Sequence, residues 1–494
     1  MTATVSPLIG EFAPSTAGPA PDGLDGLRAA PAIALPTASQ VLRFNRRHKD
    51  FVFAAARRHG DVFHMRGTVA GGAVITAHPD HVRSLFTASP ELVPTITTES
   101  ALAPVVGPNS VLTTNGARHL AQRKVLLPPF HGRSIAHYVQ VIEEATRREL
   151  DTWESGHTVD MSAAMQRLTL DVILAGVFGV GHEPTRKERV LAYAITRLIE
   201  ASTTPVAHLI EIAQIGRPDA FGGMALVFKA FDKTVYDVIA ERRSQMADGE
   251  ERLDVLSLLL ATTDEHGRPL SDHELRDELV SLLLAGHETT ANTIAWAFER
   301  LTRTPRAYDD LRDAVRGGDA DESAAATERV INEVMRSRPV IPMVGRRTRV
   351  DWQLGEIGVP AGGAIAASIL LVHHREDLYP RASEFLPERW EGRKPGTYTW
   401  IPFGGGTRRC LGAALAMAEL KIAIPEIARR FDLQPERPEA EAPLHRNVTM
   451  IPGRGGRVVV RRVVAEATAA RRDVAPAGAT PRRAPRGQRG MSAQ

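Results

Sequence analysis

Phe403-Gly404-Gly405-Gly406-Thr407-Arg408-Arg409-Cys410-Leu411-Gly412 contains the single cysteine of a 494-residue chain. One thiol can form neither an internal disulfide nor a multi-cysteine metal cage, so Cys410 serves packing or chemistry. Free cysteine is often just a small buried hydrophobe, but its neighbours here point elsewhere. Three consecutive glycines let the backbone turn tightly and approach something bulky. Arg408 and Arg409 favour thiolate over thiol. Leu411 to Leu420 reads as a helix, which puts Cys410 at its start, where free amide N–H groups stabilise an anion. Such a thiolate suits the axial position of haem iron. A structural cysteine and a phosphate cradle are the alternatives, although a phosphate loop needs a lysine followed by Ser or Thr, and neither follows.

The spacing Phe-x-x-Gly-x-Arg-x-Cys-x-Gly resembles the haem-binding signature of the cytochrome P450 family, with five residue types at set positions. The resemblance makes Cys410 the iron ligand and Phe403, Arg408 and Gly412 part of the cofactor cradle. Pro425 predicts a kink or an end to the following helix within about four turns.

Upstream, Phe385-Leu-Pro387-Glu388-Arg389-Trp390 and Glu333-Val-Met-Arg336 resemble two further elements of the family. Glu-x-x-Arg alone is weak, since i,i+3 ion pairs occur on most surface helices. Together Glu333, Arg336 and Arg389 are expected to form a buried charge network with a structural role. Between them, Pro339 to Val344 is apolar and leads to Arg346. Its plain reading is a surface strand arginine; the family's spacing makes it a contact to a haem propionate. His373-His374-Arg375 offers an adjacent histidine pair, but neighbours on a strand face opposite ways, so it is read as structural.

Ser271-Asp-His-Glu274 opens a long helix with a capping box, expected to run to about Thr304, before Pro305. In its centre, Gly286 lowers helix stability and threonine hydroxyls can bond to preceding carbonyls and open the helix locally. One solvated polar turn in a buried helix is the bland reading. A zinc site is excluded, because Ala291 stands four residues after His287. Ala285-Gly286-His287-Glu288-Thr289-Thr290 resembles the family's oxygen-activating motif. The resemblance makes Glu288 and Thr289 the catalytic acid and alcohol, and Ala285 a cofactor neighbour. Glu replaces the Asp of many bacterial members.

Farther upstream, Asn115 to Lys124 reads as a helix with His119 and Arg123 on one face at i,i+4. That is ordinarily a solvated basic face; the resemblance implies that both reach a haem propionate. Val41 to Gly60 reads as a helix, and Asp61 to Arg66 with Gly72 to Ala77 as a small hairpin. Glu91 to Thr114 is an irregular, proline-containing loop suited to lining a pocket. Residues 1–40, rich in Pro, Ala and Gly without a period, are expected to be a flexible leader, and 466–494 a disordered basic tail.

Composition bounds the function. Hydrophobic residues make up 43% and charged residues 24%, as in ordinary globular proteins, and a net charge of +3 is too small to imply nucleic-acid binding. The sequence pI of 9.1 owes much to the arginines of the tail. No apolar run approaches the ~18 residues of a bilayer span, the N-terminus lacks a secretory pattern, and one cysteine fits a reducing compartment. A cytoplasmic protein is therefore expected.

Length alone suggests two or three domains. The resemblance, covering 41–465, instead implies one mainly α-helical haem domain with small β-sheets, the cytochrome P450 fold. It implies a haem b monooxygenase that inserts one atom of O2 into a hydrophobic small molecule, the other becoming water. There is no second cysteine for an iron–sulfur cluster and no room for a flavin domain. Electrons from NAD(P)H are therefore expected through a separate ferredoxin and ferredoxin reductase, to what is expected to be a monomer. Oxidative coupling or rearrangement on the same fold stays open, as does a haem-based sensor. A peroxygenase is disfavoured by Glu288-Thr289.

Overall fold

The computed structural model describes residues 15–463, apart from 67–70, 101, 131–132, 182, 203–222, 264–266 and 447. The helices that matter here are α1 (Thr37–Arg46), α2 (His48–His59), α3 (Gly116–Leu126), α4 (Met161–Phe178), α5 (Gly223–Ala247), α6 (Asp272–Leu301), α7 (Ala320–Ser337) and α8 (Ala413–Arg430). The strands that matter here are β1 (Ala17–Pro19), β2 (Arg28–Ala29), β3 (Val62–Met65), β4 (Ala73–Thr76), β5 (Met343–Arg347), β6 (Trp352–Leu354), β7 (Ile357–Val359), β8 (Ala364–Ser368), β9 (Pro443–Arg446) and β10 (Thr449–Pro452). The chain is mainly α-helical with small sheets, as the sequence implies.

α6 is the central beam. Ser271 caps it through the expected reciprocal box with Glu274. It ends at Leu301, three residues early, and Pro305 opens the next helix at a first-turn position, where its missing N–H costs no bond. Its main partner is α4, and Gly286 allows the approach: a Cβ there would lie 2.5 Å from Ile173 Cδ1. Glycine thus serves packing, and the helix stays α-helical through the polar turn. Thr289 Oγ1 and Thr293 Oγ1 bond back to the Ala285 and Thr289 carbonyls at 2.7 and 2.9 Å without opening it. Among the described residues α4 alone is long and apolar enough to cross a membrane, and 67% of it is buried inside the protein, as befits a core helix.

Several expectations need correction. Val41 to Gly60 is two helices, broken at Arg47 (φ −140°, ψ 48°). Pro425 does not end α8, which continues to Arg430. Ile424, Ile427 and Ala428 are buried on either side of the proline, so packing holds the helix across the missing hydrogen bond. His373 and His374 lie at the end of a short helix rather than on a strand. Both are buried, His373 Nε2 accepting from Ile401 N at 2.8 Å and His374 Nδ1 bonded to Leu370 O at 2.8 Å. Residues 15–36 are not a flexible leader either. β1 pairs antiparallel with β6 and β2 pairs parallel with β7, giving the order β1-β6-β7-β2. Edge strands are held by backbone bonds and need no apolar period, so composition alone does not reveal them. Residues 1–14 of the leader and the whole tail lie outside the described residues.

The second sheet runs β3-β4-β8-β5, and β3–β4 is the expected hairpin. Alternation along β5 sends Val344 and Arg346 to one side, the cavity described below, and Arg347 to the other, onto Glu99.

At the C-terminal half of α7, Glu333 and Arg336 are fully buried. Arg336 Nε and Nη2 donate to the two oxygens of Glu333 at 2.9 and 2.8 Å. Leu386 N, Arg389 Nε and Trp390 Nε1 add 2.8, 3.2 and 3.0 Å bonds to the same carboxylate. The expected three-residue network is therefore present, with Trp390 as an unforeseen fourth member.

Candidate active site

A cavity of roughly 490 Å³ lies between α6, α8, α3, β5 and the glycine loop before α8. All ten residues singled out in the sequence reach its wall: His119, Arg123, Ala285, Glu288, Thr289, Arg346, Phe403, Arg408, Cys410 and Gly412. Side chains such as Val106, Val111, Ile173, Leu282 and Val340 make the remaining surface largely apolar.

The loop is shaped by Phe86. A Cβ on Gly405 would lie 2.1 Å from its ring, and one on Gly406 would lie 1.8 Å from its carbonyl oxygen, at φ +64°. Only glycine fits either position. Cys410 N bonds to Phe403 O at 2.9 Å, closing the turn. The Cys410 side chain is enclosed by protein yet exposed to the cavity interior. Burial pushes its thiol up, while the Gly412 amide and the Arg123 and Arg409 charges pull it back. The arginines alone therefore do not secure the thiolate expected of them; a bound metal would. At Gly412, an added Cβ would meet nothing within 4 Å, so the cavity is open beside it.

Opposite charges are missing where they are most needed. Burial and mutual repulsion push His119 down to about 4, the neighbouring charges being Arg408, Arg123 and Arg346. Burial pushes Arg346 down to about 10, and burial with the Arg346 and Arg123 charges does the same to Arg408. Among the described residues none of these side chains has a carboxylate partner. Arg346 Nη1 bonds only to Gly345 O, and Arg408 reaches Val111 O, Thr114 O and Asn115 Oδ1. His119 Nδ1 is buried without a partner. Three guanidinium groups and an orphaned imidazole around an apolar cavity with a thiol in its wall fit a flat apolar group that carries carboxylates and a thiophilic metal. Haem has that composition, and the residues present fit it.

The scan against known families gives the same answer: the Cytochrome P450 profile matches residues 31–458. The chain belongs to the cytochrome P450 family. Cytochrome P450 138 of Mycobacterium tuberculosis is 36% identical over 452 residues, covering 90% of this chain and 99% of that protein. Cytochrome P450 137 of the same species is 35% identical over 407 residues, covering 82% and 84%. These names assert the family and no substrate. The retinoic acid bound cyanobacterial CYP120A1 superposes with a TM-score of 0.72 at 23% identity, covering 88% of this chain and 99% of that one. That likeness establishes the P450 fold. The protein is thus a haem- and iron-binding oxidoreductase that uses O2, a monooxygenase.

The structure adds polar residues the sequence did not single out. Glu288 Oε1 accepts from Arg446 Nε at 3.0 Å, Arg446 Nη2 at 2.5 Å and Thr449 Oγ1 at 3.3 Å, all from the β9–β10 hairpin. Thr289 commits its hydroxyl proton to Ala285 O, so only its lone pairs remain for the cavity. Glu419 on α8 also reaches the wall, is 1% exposed, and has Oε1 unpartnered. Burial pushes its carboxyl up to about 8, against a hydrogen bond with Thr290. An acid nine residues after the cysteine, within an apolar helix face, was the available signal. Arg446 gave none, because its partner is 158 positions away.

Proposed function

We propose that this P450 hydroxylates, or otherwise oxidises by one oxygen atom, a hydrophobic small molecule, with electrons from NAD(P)H delivered by a separate ferredoxin and its reductase. The observation that carries this reading is the convergence of Cys410, an uncompensated cationic cluster and Glu288-Thr289 on one apolar cavity. Haem bound through Cys410 supplies O2 activation, favoured by electron density from the sulfur. His119, Arg123, Arg346 and Arg408 hold its propionates, which relieves the repulsion among them. Phe403 and the Gly412 amide set the environment of the sulfur, the amide as a hydrogen-bond donor. Ala285, small and on the cavity side of α6, leaves space next to the cofactor.

Glu288 moves protons inward and Thr289 orients water by accepting from it, so that reducing equivalents end in product rather than peroxide. The apolar wall favours lipid- or terpenoid-like substrates; the CYP120A1 neighbour, bound to retinoic acid, has a ligand of that kind. Arg409, exposed beside Cys410, suits an acidic electron carrier.

Cys410→Ser tests the reading. The expected outcome is loss of the thiolate-type absorption band of the reduced CO complex; a variant that keeps this band unchanged removes Cys410 as ligand.

A further inference from the structure

The clasp on Glu288 is one-sided. Two guanidinium N–H groups of Arg446 converge on Oε1, with the Thr449 hydroxyl at 3.3 Å sharing its single proton between Oε1 and Arg446 O, and Oε2 has no hydrogen-bond partner among the described residues. Glu288 and Arg446 side chains are only 16% and 15% exposed, so the pair is well shielded from solvent. The hairpin that supplies Arg446 is itself firmly seated. Arg446 faces Thr449 across the turn in the antiparallel register, and Thr449 Oγ1 bonds back to Arg446 O at 3.0 Å. At its base, Met450 N donates to Val340 O at 2.7 Å and Met450 O accepts from Trp296 Nε1 at 3.0 Å. His445 stacks on His48 of α2 with ring centroids 5.0 Å apart. Arg446 is thus a charge delivered to one oxygen of one carboxylate by a braced arm.

We infer that Arg446 is a positioning residue for Glu288, fixing the carboxylate through Oε1 so that Oε2 is the oxygen that exchanges protons with the cavity. The inference rests on the proton-transfer reading of Glu288 given above. A free glutamate samples several rotamers. Two guanidinium N–H bonds to one oxygen remove that freedom. Starting as the carboxylate paired with Arg446, Oε2 takes up one proton from bulk solvent and then releases that proton to the cavity, so Glu288 returns to the carboxylate, Arg446 stays cationic throughout and one proton has moved inward. The other ionisable groups to consider are His287, which feels both Glu288 and Arg446, His445 next to Arg446 on β9, and Glu419 across the cavity lining on α8. His287 Nδ1 is engaged with Leu283 O at 3.1 Å, His445 is stacked on His48, and Glu419 is directed at Thr290, so none can replace Arg446.

The test uses the full-length haem-loaded enzyme with a surrogate ferredoxin and reductase and no added substrate. NAD(P)H consumption, peroxide released and the solvent deuterium isotope effect are measured for wild type, Arg446→Met, Arg446→Lys, Glu288→Gln and the double variant Glu288→Gln with Arg446→Met. The reduced CO band, read without turnover, reports an intact haem pocket. Arg446→Met is expected to slow consumption roughly tenfold, with a larger isotope effect and an unchanged CO band. Arg446→Lys should restore part of the rate, and the double variant should be no slower than Glu288→Gln alone. Two results overturn the inference: wild-type rate and isotope effect in Arg446→Met while Glu288→Gln is slow, or additive losses in the double variant. If Glu288→Gln itself behaves as wild type, the proton-transfer reading of Glu288 falls first.

Discussion

Glu333→Gln keeps the shape of the most connected carboxylate in the protein and removes its charge. Glu333 and Arg336 are both 0% exposed, and the carboxylate accepts five N–H bonds, from Arg336 twice, Leu386, Arg389 and Trp390. An amide presents one oxygen and one NH2, so the Arg336 Nε and Trp390 Nε1 donors, which share Oε2, would face a donor if the amide oxygen takes the Oε1 place. Two donors are then orphaned and Arg336 loses its counter-charge in a site closed to bulk solvent. Removing one partner of a buried ion pair costs ~3–5 kcal/mol, and orphaned donors ~1–3 kcal/mol each, partly the same loss. A total of ~4 kcal/mol against a typical stability of ~5–15 kcal/mol leaves a folded protein with a much lower denaturation midpoint. Urea unfolding of the haem-loaded protein, followed by far-UV circular dichroism, measures this directly. The folded fraction should keep its reduced CO band position, since the network lies outside the cavity. A loss below ~1 kcal/mol would refute the argument that the network is buried and fully engaged, and a shifted band would refute its purely structural assignment.

Gly406→Ala puts a Cβ against the Phe86 carbonyl at a positive φ, so the loop before Cys410 must shift; spectroscopic titration is expected to show weakened haem retention, and wild-type retention would mean the loop yields freely. Glu419→Gln tests the buried acid by pH. Its carboxyl is pushed up to about 8 in the folded protein, from an ordinary value of 4.5, so its contribution is present in full below about pH 4.5 and is lost as pH rises toward 8. The wild type should therefore lose stability relative to Glu419→Gln across that window, by up to ~1.4 kcal/mol per pH unit; parallel stability profiles would show that the acid is not held neutral.

What the sequence made legible was what is encoded at short range. The capping box of α6, the glycine loop and the i,i+4 pair of α3 each depend on residues within a few positions of one another, and spacing alone locates them. Cavity membership of all ten predicted residues follows from these local elements being carried on rigid helices and one strand. The misreadings have the opposite character. β1 and β2 exist only because β6 and β7, more than 300 positions on, supply their backbone partners. α8 survives Pro425 because of what packs beside it.

The same division applies inside the site, and it bears on chemistry. Two acids face one cavity in contrasting surroundings: Glu288 is clasped by a guanidinium, and Glu419 is kept protonated by burial. Sequence identifies the first, since it sits next to Thr289 on the polar turn of α6. Its clasp and the second acid both come from chain far downstream, brought in by the hairpin and by α8. An acid paired with a cation suits repeated proton exchange; one held neutral by burial suits donating a hydrogen bond, here toward Thr290. Which carboxyl does which task is therefore set by the packing of β9–β10 and α8 against α6, and substitutions at Arg446 or along the α6–α8 contact should change proton handling without touching the cysteine loop.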